Sequence, residues 1–392
     1  MSETSILENK PYAPEVSDSY GVGVSDFESI IPEVEQPTRV IDLMKKLDLE
    51  FLRPVIDELY SEDWRFKFDS IPALKTIIYW RLKNHRFLTE VHNDLLTNPD
   101  LANVLGYDLI PSYKQLYHFI TYRLNHIGTK KIFDVILQKV KQLCENVGIE
   151  LGKEVIQDSS PMEKKNNDDA TYNKHYDIKG YKWHNLICLK TGIPLDYHVG
   201  IATEYDGDFF APMIYRLKNI HNIHPKRAFA DGHYSKGKNL MRMNEFFNIE
   251  VVTHIDKNWV LHSDATVFEL IRQYQKMWKS ELFKINAGVD YTKYFMMMHD
   301  KTEVLENFYH NQVFKKYLKD PDAYDKKYAI RNLIEHSHGR DKRHTEIKNI
   351  QATDIFKFTA HLGMHVISTL VLALVRLQKG ETEGLTYRGG LI

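Results

Sequence analysis

The order of secondary-structure signals between Gly152 and Ile255 constrains this chain most. Three apolar runs follow one another: KEVIQDSSP, WHNLICLKTG and IPLDYHVGIAT. The last two are joined at Thr191-Gly192, as in a hairpin. FFAPMIYRLKNI then has helical spacing, RAFADGHYS reads as a strand closing in a polar turn, KGKNLMRMNEFF as a helix and IEVVTHI as a strand. Helices and strands that alternate this way fold into an α/β layer structure rather than a bundle or a sandwich. Such sheets gather functional groups at the carboxyl ends of their strands. Two acids fall there. Asp158 follows Val155 and Ile156, and Asp231 follows Ala228, Phe229 and Ala230. Taken alone, either aspartate is more often a turn residue or helix cap.

The rest of the chain frames this core. Residues 1–40 mix Pro, Ser, Gly and eight acids with only Lys10 and Arg39, and read as an acidic mobile tail. That leaves 50 of the 52 basic and 45 of the 53 acidic residues, a net +5, to the remainder. A mildly basic body suits a polyanionic partner, and many ordinary enzymes too. Residues 41–150 are helical in pattern: Leu74, Ile77, Ile78 and Leu82 form one stripe, Ile132, Val135, Ile136, Val140 and Leu143 another. Ser112 with Gln115 has capping-box spacing. A sharp turn before a capped helix is compatible with a helix-turn-helix DNA reader, and equally with a plain supporting bundle. Residues 257–325 break the alternation and are rich in aromatics, including Trp259 and Trp278, so they read as an insertion. Either Trp could stack on a displaced base, although such residues commonly fill cores. An apolar helix closes the chain, from about Ile355 to Leu377. Its run from His361 to Leu377 is short for a membrane span and carries two histidines, so it reads as buried. Cys144 and Cys188 have no zinc spacing and suggest no disulfide framework. No charged start followed by an apolar run marks a secretory signal.

The sharpest motif is YAIRNLIEHSHGRDK. Tyr328, Arg331, Glu335 and Lys342 are spaced Y-x2-R-x3-E-x6-K, and on one helix these offsets fall within roughly 60° of each other. The bland reading is a solvated charged face. A carboxylate flanked by cations is also what a site for metal and phosphate needs.

This spacing resembles the signature of prokaryotic insertion-sequence transposases with an Asp-Asp-Glu active site. ADGHYS resembles that superfamily's second-aspartate segment and VIQDSS its first, while GYKWH, GIPLDY and ATEYD resemble segments between them. The stretch from Asp69 to about Leu124 resembles its helical domain, and the likeness spans about residues 40–380. It implies a ribonuclease-H-like α/β catalytic core (151–256 and 326–380), a helical DNA-binding domain before it (41–150), and an insertion before the last catalytic helix. It further implies that Asp158, Asp231 and Glu335 hold two Mg²⁺ ions, roughly 3.5–4 Å apart, with Mn²⁺ as the alternative. Tyr328, Arg331 and Lys342 would face DNA. The partners implied are double-stranded DNA, both element ends and target, and a second copy of the chain, with no membrane; the location would be a prokaryotic cytoplasm, on the nucleoid. Asp206 matches a recurrent position of these enzymes. His184 and His233 read as structural or DNA-facing, since no His or Cys cluster has metal spacing. Two rivals stay open: a metal nuclease of the same fold that cuts without joining, and a DNA-binding descendant that has lost its chemistry.

Overall fold

A computed structural model describes residues 40–59, 68–262, 303–335 and 345–388, which belong to one compact unit. The described N-terminal helices are α1 (Val40–Lys46), α2 (Arg53–Asp57), α3 (Ser70–Lys83), α4 (Leu88–Thr97), α5 (Pro99–Leu105), α6 (Tyr113–His118) and α7 (Asn125–Asn146). Their starts follow local chemistry. Asp69 caps α3 by accepting from the Ile71 N–H, and Ser112 and Gln115 close a capping box on α6. Gly106 stops α5 in the left-handed region, φ +93°. Leu74, Ile77 and Ile78 are fully buried and Leu82 nearly so, as their spacing predicts.

The mixed sheet contains β1 (Glu154–Glu163), β2 (Thr171–Asn173), β3 (Ile178–Cys188), β4 (Pro194–Ile201), β5 (Arg227–Ala230) and β6 (Glu250–Thr253). β3 lies antiparallel to β1, and both β4 and the short β2 pair with β3's other edge. β5 runs parallel to β1, and β6 parallel to β5. α8 (Phe210–Asn219) leads to β5, and α9 (Gly237–Glu245) joins β5 to β6. The expected hairpin is β3–β4, with Gly192 at φ +67°. After β6 come α10 (Glu303–Lys319), within the expected insertion, and α11 (Pro321–Ala329), which begins within it and runs past its end at 325. The last helix, α12, spans Ile355–Gln378.

α12 is the keystone of the core. It packs against α7, α3 and β4, and Leu362, Met364, Ile367, Leu370, Val371 and Leu374 are all fully buried. It is long and apolar enough to cross a membrane, with a mean hydropathy of 1.8, yet 89% of that window is buried within the protein. Each such Leu, Ile or Val is worth about 1.5–3 kcal/mol on burial. A charge at Leu370 would therefore unseat the helix that joins the helical layer to the sheet.

Two expectations are corrected. Asp158 does not lie where a strand opens into a turn: β1 continues to Glu163, held by pairing with β3 as far as Gly180. Tyr328 and Glu335 do not share one continuous helix, because α11 ends at Ala329, Ile330 and Arg331 form a turn, and helix resumes at residues 332–335. Lys342, Trp278 and the 1–39 part of the expected tail lie outside the described residues.

Candidate active site

The sheet register brings the two aspartates together. β5 pairs with β1 from Glu154↔Arg227 to Gln157↔Ala230. One further step of the same register sets Asp158 level with Asp231, at the carboxyl end of β5. Neighbouring strands are about 4.8 Å apart, so the two carboxylates start from adjacent backbones. Asp158 is buried, with 9% of its side chain exposed, and its backbone pairs with Asn185 of β3. Asp231 stands at the mouth of the turn after β5, where its carboxylate accepts from the His233 N–H at 2.8 Å. It thus also acts as the cap that its sequence suggests.

Arg331 links the third acid to this pair. One guanidinium nitrogen donates to Glu335 Oε1 at 2.6 Å and the other to Asp158 Oδ2 at 3.4 Å. The i,i+4 relation of Arg331 and Glu335 survives the break in the helix because the turn keeps them one winding apart. Arg331 is largely buried, whereas Glu335 is half exposed. The Tyr328 ring lies 5.8 Å from His254. Its phenol is pushed up to about 12, by burial and by the surrounding acids against the opposing charge of Arg331. It therefore stays a neutral donor.

The electrostatics of Asp158 reveal an imbalance. Burial pushes its carboxyl up to about 7; Arg331 opposes this, while Asp231 and Glu335 add like charge. A single guanidinium does not offset the cost of this buried position beside two acids. Among the described residues, no three His, Cys, Asp or Glu side chains stand close enough together to hold a metal as they are. The forked grip of Arg331 explains the spacing, since it keeps Asp158 and Glu335 on either side of a cation. The donors are hard carboxylate oxygens, the type Mg²⁺ and Mn²⁺ prefer.

The family model of the transposase DDE domain matches residues 151–371, more than half of the chain. The chain belongs to the DDE transposase family. The match spans β1, β5, the Glu335 segment and most of α12. No curated protein and no solved structure matches the chain.

Other residues of this transposase domain fall into place around the acids. Asp206 is almost wholly buried and ion-paired to Lys182 Nζ at 2.8 Å. The phenols of Tyr176 and the fully buried Tyr234 are both pushed up, by burial first and then by Asp206, Asp158 and Asp231. Neither Lys182 nor Tyr176 stands out in the sequence. The available signal was that Lys182 lies between Tyr181 and Trp183 in the strand around GYKWH. His184 is structural: fully buried on β3, its ring 4.2 Å from that of Phe209. Asp169 ties the fold, accepting from the Ile355 N–H at 2.7 Å and from the Tyr181 hydroxyl. A cleft of about 620 Å³ opens beside Asp231, lined by His254, Trp259, His262 and His310, with Trp259 stacked 3.9 Å from His310.

Proposed function

We propose that this chain is a DNA transposase that cuts the ends of an insertion sequence and joins the freed 3′-hydroxyl to target DNA. Asp158, Asp231 and Glu335 are its catalytic carboxylates. The observation that carries this reading is the meeting of Asp158 with Asp231 and Glu335 around Arg331, where burial pushes the Asp158 carboxyl up to about 7 although Arg331 and a backbone hydrogen bond at Ser159 oppose it. A site short of positive charge is poised to accept a cation, whereas a structural network would be neutralised internally. The sheet order, with an antiparallel β4–β3–β1 edge running into parallel β5 and β6, supports a ribonuclease-H-like core.

In this reading Asp158, Asp231 and Glu335 would hold two Mg²⁺ ions, or Mn²⁺. The chemistry supplied by such ions is stabilisation of charge on the attacking and leaving oxygens of an in-line phosphoryl displacement. The protein's own groups do the rest. Asp158 must give up its proton, and Arg331 must release at least one carboxylate. The freed fork then matches two oxygens of a DNA phosphate. Tyr328 remains protonated and donates near the backbone, and Lys342 supplies a second, pointlike phosphate contact. Burial of Asp158 keeps bulk water from competing at the reacting bond. The helical residues 41–150 would bind the terminal DNA, with two copies of the chain bringing two ends together in a prokaryotic cytoplasm.

Of the exposed basic side chains, Arg86 and Lys114 rim a cavity of about 280 Å³ and are candidate DNA contacts. Arg123 of the same helical region is buried, and His85 is held by Glu90 and Asp94.

The test is a strand-transfer assay with full-length protein, Mg²⁺ and linear DNA carrying the element's own ends. Cleavage with joined products is expected. Cleavage without joining would make the protein a metal nuclease, and DNA binding with neither would make it a descendant that has lost its chemistry.

A further inference from the structure

The Lys182–Asp206 pair is expensive. Its side chains are 8% and 4% exposed, and taking two charges out of water costs several kcal/mol per ion, which their attraction only partly returns. Lys182 Nζ also donates to the Glu204 carbonyl at 3.1 Å, fixing the loop that carries Asp206. That loop is tied repeatedly to the turn after Asp231. Asp206 Oδ2 lies 3.8 Å from His233 Nδ1, and the same nitrogen lies 3.5 Å from Asp231 Oδ2. The Tyr205 hydroxyl donates to the His233 carbonyl. Lys236 Nζ sits 3.7 Å over the Tyr205 ring, and Lys238 pairs with Asp208 at 3.2 Å. Gly207 has no room for a side chain, since a Cβ there would lie 2.4 Å from Asn239 Nδ2 and 3.1 Å from the His233 carbonyl.

We infer that Lys182 and Asp206 are positioning residues: through His233 they fix the turn that aims the Asp231 carboxylate at Asp158. The inference rests on the reading of Asp231 as a catalytic carboxylate. Lys182 anchors Asp206 to β3, the strand beside β1, so the two aspartates are referenced to the same sheet. A misplacement of about 1 Å at a reacting centre can cost on the order of 100-fold in rate.

The test uses the full-length chain. Lys182→Met and Asp206→Leu singly each strand a buried charge, and the melting temperature should fall by on the order of 5 °C. The double variant removes both charges, so its melting temperature should return to near wild type. Its Mg²⁺-dependent DNA cleavage should nevertheless stay about 10- to 100-fold down. Amide hydrogen exchange in the peptide covering 231–235 should be faster, with α12 unchanged. A double variant that regains wild-type cleavage and wild-type exchange at 231–235 overturns the inference, because the pair is then only a structural strut. His233→Ala supplies a second readout. His233 is 53% exposed, so folding is not at stake, and faster exchange at 231–235 with slower cleavage is expected; wild-type values of both would also overturn it. If exchange quickens in these variants but Asp231→Asn cleaves normally, the catalytic reading of Asp231 fails while the positioning stands.

Discussion

Two carboxylate clusters, each with one or more buried members, lie at the sheet, and they differ in their balance of charge. Between α7, β4 and α8, Asp134 and Asp196 meet Lys130, Arg216 and His221. Arg216 grips Asp134 through one nitrogen at 2.8 and 3.0 Å and lies 3.4 Å from Asp196, Lys130 closes on Asp196, and His221 lies 3.2 Å from Asp134. Burial works to raise the Asp134 carboxyl, but the His221 hydrogen bond and the Arg216 and Lys130 charges outweigh it and hold it below its usual value. At the other cluster, Asp158, Asp231 and Glu335 share Arg331, and Asp158 goes up. Both set carboxylates around an arginine, but the first adds Lys130 and His221 to its cations, so the balance of charge differs. A closed network braces a fold, while an open one leaves a demand for cations that only a ligand can meet.

The largest expected effect lies in the open cluster. Asp231→Asn and Glu335→Gln should each lower Mg²⁺-dependent cleavage about 1,000-fold, the equivalent of about 4 kcal/mol of transition-state stabilisation, with metal-free DNA affinity unchanged. Near-normal cleavage in either variant would remove that residue from the site. In the closed cluster the loss should be of stability instead. Asp134→Ala strands Arg216 and His221 and should cost about 3–5 kcal/mol in denaturant unfolding. Cleavage per folded molecule should hold, and a stable Asp134→Ala protein would erase the contrast.

The third prediction concerns pH. The folded carboxyl of Asp158 sits at about 7 against a usual 3.8, so the folded state binds the proton more tightly than the unfolded one. Its stabilising contribution is fully present below about pH 4 and is lost as pH rises through 7. Without metal, Asp158→Asn should therefore be more stable than wild type at pH 8, by at most about 4 kcal/mol at 1.4 kcal/mol per unit. Loss of the Arg331 contact will reduce that figure. The difference should vanish near pH 4. A pH-independent difference would mean that Asp158 titrates normally.

The smallest effect should come from Arg331→Ala. One lost phosphate contact should lower the salt-dependence slope of active-site DNA engagement by about one, with partial rescue at low salt and incomplete rescue by Arg331→Lys. An unchanged slope would confine Arg331 to its carboxylate partners.

Much of this contrast was legible in the residues. The strand and helix order from 152 to 255, the β3–β4 hairpin and the last apolar helix follow from local periodicity, which survives folding because each element buries one face. Asp158 was legible as an acid beside an apolar run, but not as a mid-strand residue, because pairing of Ser159–Glu163 with β3 is a long-range fact. The break at Ile330–Arg331 was illegible for the same reason: helical spacing does not record where a chain must turn to bring Arg331 onto Asp158. The Lys182–Asp206 pair joins a strand to a loop and has no short-range signature at all.

The central claim is that the cluster short of positive charge does the chemistry and the balanced one holds the fold. Asp158→Asn and Asp196→Asn, measured side by side for melting temperature and for Mg²⁺-dependent DNA cleavage, test it most directly. The account predicts that Asp158→Asn keeps or raises its melting temperature at pH 8 and loses cleavage, while Asp196→Asn melts earlier and cleaves normally per folded molecule. An Asp158→Asn protein that cleaves at close to the wild-type rate would contradict it.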